Sequence, residues 1–212
     1  MSNDLLNVLQ SQLDDDNLME QLSSQIGSED KEQTKAAANG IMTTLMGAMA
    51  KQSQGEEGQS FLSNILDKDG DGSILDDVMD MVQSGGQATP RNAGNSLLDG
   101  GSLISSLLGG KENSAVDMIS NMSGLESGKT NSLMKLIAPM LIGTLTKQRS
   151  QNGLDISNIA GLLTDGFQQQ KDNDTQGSTS LVEKFLDQDG DGNISDDIAN
   201  IGMKFLGNLF KK

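Results

Sequence analysis

The sequence predicts an all-α protein made of two diverged helical repeats, each carrying one acidic loop, joined by a Gly/Asn-rich linker. Three observations lead there. Apolar residues recur at spacings of three and four along most of the chain, and no stretch alternates with period two. "FLSNILDKDGDGSILDDVMDM" at 61–81 also aligns without gaps on "LVEKFLDQDGDGNISDDIANI" at 181–201, apolar residue on apolar residue: Phe61 on Leu181, Leu62 on Val182, Leu66 on Leu186, Ile74 on Ile194.

The first repeat, 1–83, opens with helical patterns at Leu5, Leu6, Val8, Leu9 and Leu13 and again at Leu18, Met19, Leu22 and Ile26. Gly27 supplies a stop, and Ser28 with acids after it reads as the N-cap of a long helix over about 29–53. Met42, Met46 and Met49 form a stripe with Ile41 and Leu45 on that helix. Core packing is the preferred reading of the stripe; a flexible thioether surface for partner helices is the alternative. "SGGQATPRNAGN" at 84–95 is the linker.

In the second repeat, 96–212, "LLDGGSLISSLLGGK" at 97–111 alternates glycine clusters with short apolar runs, which suits a hinge or an adhesive segment that orders on association. A helix over about 126–150 follows, kinked at Pro139. Its "MLIGTLTKQRS" matches "TLMGAMAKQSQ" of the first long helix, with Gly143 on Gly47 and Lys147 on Lys51. The glycines either permit close helix approach or are local weaknesses of the helices, and the lysines suit the C-terminal end of each helix dipole. "LSNIL" at 62–66 is similar to "ISNIA" at 156–160, and the polar run 171–180 separates the long helices from the second acidic stretch.

Composition removes many functions. The formal charge of -15 and a pI near 4.2 repel phosphate backbones and anionic headgroups, so neither nucleic acid nor a membrane surface is an expected partner. With no Cys and no His, thiol nucleophiles, zinc centres and Ser-His-Asp chemistry are excluded. No spacing singles out a Ser-Lys nucleophile, and an enzyme is not expected. The N-terminus lacks the pattern of a secretory signal, and no apolar run approaches the roughly 20 residues that span a bilayer. The cytoplasm is the expected compartment, with export lacking a signal peptide left open.

The strongest signal is the duplicated acidic stretch. Counted from Asp67, acids stand at positions 1, 3 and 5 (Asp67, Asp69, Asp71), with Gly72 at position 6, the carbonyl of Ser73 at 7 and Ile74 at 8. Asp187, Asp189, Asp191, Gly192, Asn193 and Ile194 repeat the pattern. This is the front half of an EF-hand loop, in which alternating carboxylates curl round one hard cation and the glycine permits the sharp turn.

The back half departs from that pattern, because position 12 is Val78 or Ile198 instead of a bidentate Glu. Asp77 and Asp197, one residue earlier, are expected to close the coordination sphere as the exiting helix starts early. Asp76 and Asp196 then fall in its first turn, where the dipole favours negative charge. The expected metal ligands are therefore Asp67, Asp69, Asp71, Ser73 and Asp77 in one loop, and Asp187, Asp189, Asp191, Asn193 and Asp197 in the other.

Two Ca²⁺ ions are expected, since a flexible loop offering about seven oxygens suits calcium better than octahedral magnesium. They would take the formal charge from -15 to -11. Each, at a hundred times its dissociation constant, adds about 2.7 kcal/mol to a stability typically of about 5 to 15 kcal/mol. Solvated Asp-Gly turns are the plain alternative, but turn chemistry explains neither the aliphatic position 8 nor the repeated flanks. In paired EF-hands position 8 bridges the two loops, so pairing through Ile74 and Ile194 is a further expectation.

The "LD-x-DGDGS-x-x-DD" signature, "SLISSLLGG" and "APMLIGTL" together resemble the bacterial domain of unknown function 937 family, related to YidB-like proteins, over nearly the whole chain. The resemblance implies a helical bacterial protein and brings no established activity. Each loop is also similar to a dockerin calcium loop, although their separation of 120 residues far exceeds the tight dockerin duplication. The function expected is a calcium-binding helical scaffold or self-associating structural protein, partnered by calcium and by further copies or another protein. The alternative is a calcium sensor or buffer exposing a Met-rich groove to a partner helix.

Overall fold

The computed structural model describes residues 11, 13–53, 58–60, 62, 63, 66, 100–173 and 178–187. The protein is all-α: helix is the only regular structure among these residues. The helices with defined bounds are α1 (Asp16–Gln25), α2 (Lys31–Gln52), α3 (Gly100–Leu108), α4 (Glu112–Ser123), α5 (Ser127–Asn152), α6 (Ile156–Asn173) and α7 (Ser178–Leu186). Residues 58–60, 62, 63 and 66 are helical as well. The linker 84–95 lies outside the described residues.

Local chemistry sets the first boundaries. Asp15 caps α1, its Oδ1 accepting from the N–H groups of Asn17 and Leu18 at 2.8 and 3.2 Å. The helix ends where Gly27 takes a φ of +66°, a left-handed value that costs glycine little, and the Ser28 N–H returns to the Ser23 carbonyl at 2.8 Å. Ser28 is therefore still occupied with closing α1 and does not cap α2. Asp30 does: its Oδ1 accepts from the N–H groups of Glu32 and Gln33 at 3.0 and 3.1 Å.

α2 is the axis of the molecule, packing against each of the other six helices. Such a helix has no polar face to spare, and its buried residues run almost without a gap from Ala37 to Ala50. The methionine stripe is core: Met42, Met46 and Met49 are all buried, Met49 completely. Small residues make room for so many neighbours. Threonine is tolerated because its hydroxyl satisfies itself within the helix, Thr43 Oγ1 on the Asn39 carbonyl at 2.9 Å and Thr44 Oγ1 on the Gly40 carbonyl at 2.7 Å.

The close approach expected of Gly47 is present. A Cβ placed there would lie 2.7 Å from Leu186 Cδ1 and 2.8 Å from Phe167 Cε2, so the bare backbone is the notch into which α6 and α7 settle.

The segment 97–111 corrects the sequence reading. Its described part is no hinge but the helix α3, with Leu103, Ile104, Leu107 and Leu108 buried in the shared core. α5 explains how a glycine-rich helix is held. Pro139 stands inside α5 and lacks an N–H, so the carbonyl of Lys135, four residues earlier, loses its helical donor. Gly100, at the start of α3, lies against that same carbonyl: a Cβ there would come within 2.1 Å of the Lys135 oxygen. Only a glycine fits this close to the freed acceptor.

Leucines, isoleucines and methionines from helices on both sides of residues 84–95 join one hydrophobic core.

Candidate metal centre

Where the second acidic stretch begins, α7 emerges from the bundle. Thr179, Val182 and Leu186 are buried, while Glu183 reaches sideways to an ion pair with Lys171 of α6 at 2.6 Å. Asp187 follows directly, half-buried, its N–H still bonded to the Glu183 carbonyl at 2.6 Å. The first expected ligand of the second loop thus stands at the end of a helix rooted in the core.

The first stretch has a matching root. Leu62 is fully buried and Leu66, immediately before Asp67, is 1% exposed. Their alignment partners Val182 and Leu186 are 0% and 7% exposed, so both pairs of equivalent positions point into the same interior.

Asp67, Asp69, Asp71, Ser73 and Asp77, and likewise Asp189, Asp191, Asn193 and Asp197, lie outside the described residues, as do Ile74 and Ile194. Among the described residues no group of three or more carboxylates is close enough to hold a metal ion.

Two side chains at the C-terminal end of α2 complete the surroundings. Lys51 stands in the last turn of its own helix, as expected for the dipole, and its Nζ also donates to the carbonyl of Leu186 at 2.5 Å, capping α7 from outside. The next residue acts similarly on α3, with Gln52 Nε2 donating to the carbonyls of Ser106 at 2.9 Å and Leu107 at 2.5 Å. Three helix C-termini, each the negative end of a dipole, therefore converge on one lysine-glutamine pair. The sequence held a signal for this in the repeated "KQ", but nothing in it said which carbonyls the pair would meet.

The family described as bacterial protein of unknown function (DUF937) matches residues 7–148. The chain belongs to this family. The DUF937 region takes in the acidic stretch at 67–77 and both long helices almost whole, and ends before the stretch at 187–197. No curated protein and no solved structure matches the chain. Among the described residues no helix is long and apolar enough to cross a membrane.

Proposed function

We propose that this DUF937 protein is a calcium-binding helical scaffold that associates with itself, each acidic loop closing on one Ca²⁺ and so fixing the angle between the helices that enter and leave it. One observation carries the reading: the Asp-x-Asp-x-Asp-Gly pattern occurs twice within a gapless repeat of its apolar flanks. The burial of Leu66 and Leu186, each one residue before a loop, supports it, because a loop anchored in the core transmits the order gained on metal binding to the helices behind it.

The role assigned is structural and not catalytic. Leu181, 45% exposed on α7 beside the half-buried Phe185, offers an apolar contact for another copy. The sensor reading would require the bundle to open, since Met42, Met46 and Met49 lie in its interior.

Thermal melts with excess Ca²⁺ and with chelator, paired with solution mass under both conditions, test the proposal. The scaffold requires a large calcium-dependent rise in the midpoint together with oligomers. A monomer that opens reversibly in calcium would favour the sensor instead, and a melt indifferent to calcium rejects both.

A further inference from the structure

α1 is attached to the rest of the molecule on one side. It packs on α2, and among the described helices it alone has a single substantial neighbour. Its buried Met19 and Leu22 lie in the shared core, with Leu13 before them and Ile26 after. Two ion pairs fix the register, an acid from the α1 side meeting a lysine of α2: Glu20 with Lys31 at 3.1 Å and Asp14 with Lys35 at 2.7 Å. Only Ile26 to Asp30 separate the two helices. Within that turn Gly27 has a φ of +66°, and a Cβ placed there would meet nothing within 4 Å. The turn holds no proline, so once Gly27 leaves its left-handed state α1 and α2 can run on as one helix, which carries α1 off its own seat.

We propose that copies of this chain associate by exchanging α1, the α1 of each copy seating on the α2 of the other. The inference rests on the self-association proposed above, independently of calcium, and adds to it the segment that makes the contact. An unseated α1 leaves Met19, Leu22 and the α2 surface they cover open to water, and a second copy carries the surface already shaped and charged to cover both. Exchange restores every contact between α1 and α2, ion pairs included. The two forms therefore differ only at the turn and in the freedom lost on association. Gly27 sets that balance: glycine takes a left-handed φ at little cost, whereas alanine in its place favours the straightened helix.

Crosslinking of the full chain in solution tests it. The chain has no cysteine, so Asp14→Cys combined with Lys35→Cys places the only two thiols across the α1–α2 contact. A short bis-maleimide joins them within one chain when α1 sits on its own α2, and between two chains when α1 is exchanged. Along one straightened helix the two positions stand roughly 30 Å apart, beyond the reagent's reach. Covalent dimers are expected from the oligomeric fraction isolated by size, and internal links from the monomeric one. Gly27→Ala should lower the dimer dissociation constant, read by sedimentation, by more than about tenfold, since the left-handed penalty falls on the hairpin form and enters twice per dimer. Oligomers whose thiols link only within chains, or a Gly27→Ala protein that dimerises no more tightly than the unaltered one, overturn the exchange and leave self-association through another surface standing. An unaltered protein that stays monomeric at every concentration overturns both. The Gly27→Ala comparison decides the matter should the double cysteine variant fail to fold.

Discussion

The C-terminal halves of α2 and α5 are close to each other in sequence and far apart in what they do. Leu45, Gly47, Lys51 and Gln52 of α2 align with Leu141, Gly143, Lys147 and Gln148 of α5. In α2 the lysine and glutamine reach outward to cap α7 and α3. In α5 Lys147 is exposed and Gln148 turns along its own helix, where its carbonyl and its Oε1 both accept from Asn152 Nδ2, at 3.1 and 2.7 Å. α2 packs on all six other helices, whereas α5 packs mainly on α2, α3 and α4. Related sequence at two helix ends sets the helix; the neighbours decide whether a polar side chain becomes a staple or stays in water.

The largest effects should come from the interior. Leu45 and Leu141 are equivalent and both fully buried. Leu→Ala at a buried site costs about 2–5 kcal/mol depending on how far the surroundings collapse. Leu45→Ala should fall toward the upper end because α2 is packed on all sides by six neighbours, and Leu141→Ala toward the lower. Denaturant unfolding midpoints measure both, and equal losses would break the comparison.

Gly47→Ala comes next. Its new methyl meets Leu186 and Phe167, an overpacking of about 1–3 kcal/mol that alanine's better helix propensity offsets by about 1 kcal/mol. A net loss in the thermal midpoint is expected. Gly166→Ala is the control, since its methyl meets the end of the flexible Met46 side chain at 2.9 Å and the two effects should nearly cancel.

Lys51→Met should cost about 1–2 kcal/mol through the lost charged hydrogen bond, against less than about 0.5 kcal/mol for the exposed Lys147→Met. If the two lysines proved equal, the staple would be refuted.

The smallest effect belongs to the surface. The Lys35 pKa is raised above its ordinary 10.5, first by a hydrogen bond and then by the charge of Asp14, whose Oδ1 lies 2.7 Å from Nζ. A raised lysine contributes its stability in full below the ordinary value and loses it as pH climbs through the raised one. The difference between the unaltered protein and Lys35→Met should thus be constant at neutral pH, disappear only above about pH 10.5, and be reduced by salt.

The long helices were legible because their signals are dense. The expected 29–53 and 126–150 became Lys31–Gln52 and Ser127–Asn152. α3 was not, because its glycines weaken any local case for helix and the contact that favours one, between Gly100 and the carbonyl of Lys135, is made with a distant part of the chain. Ser28 and Asp30 are both good N-caps, and only the turn closed by the Ser28 N–H decides between them. The role of Lys51 was out of reach for the same reason as α3, its acceptor lying 135 residues away. Of the expected metal centre, the described residues include the two buried positions that precede the acidic stretches and Asp187, and the other expected ligands lie outside them.

The account depends most on the paired loops holding calcium, and a calorimetric titration of the full chain tests that most directly. Two sites per chain are expected, with dissociation constants between about micromolar and about millimolar, falling to one site when Asp187 and Asp189 are both changed to Asn. A titration of the unaltered chain with no saturable heat, or one whose stoichiometry ignores that double change, would contradict it.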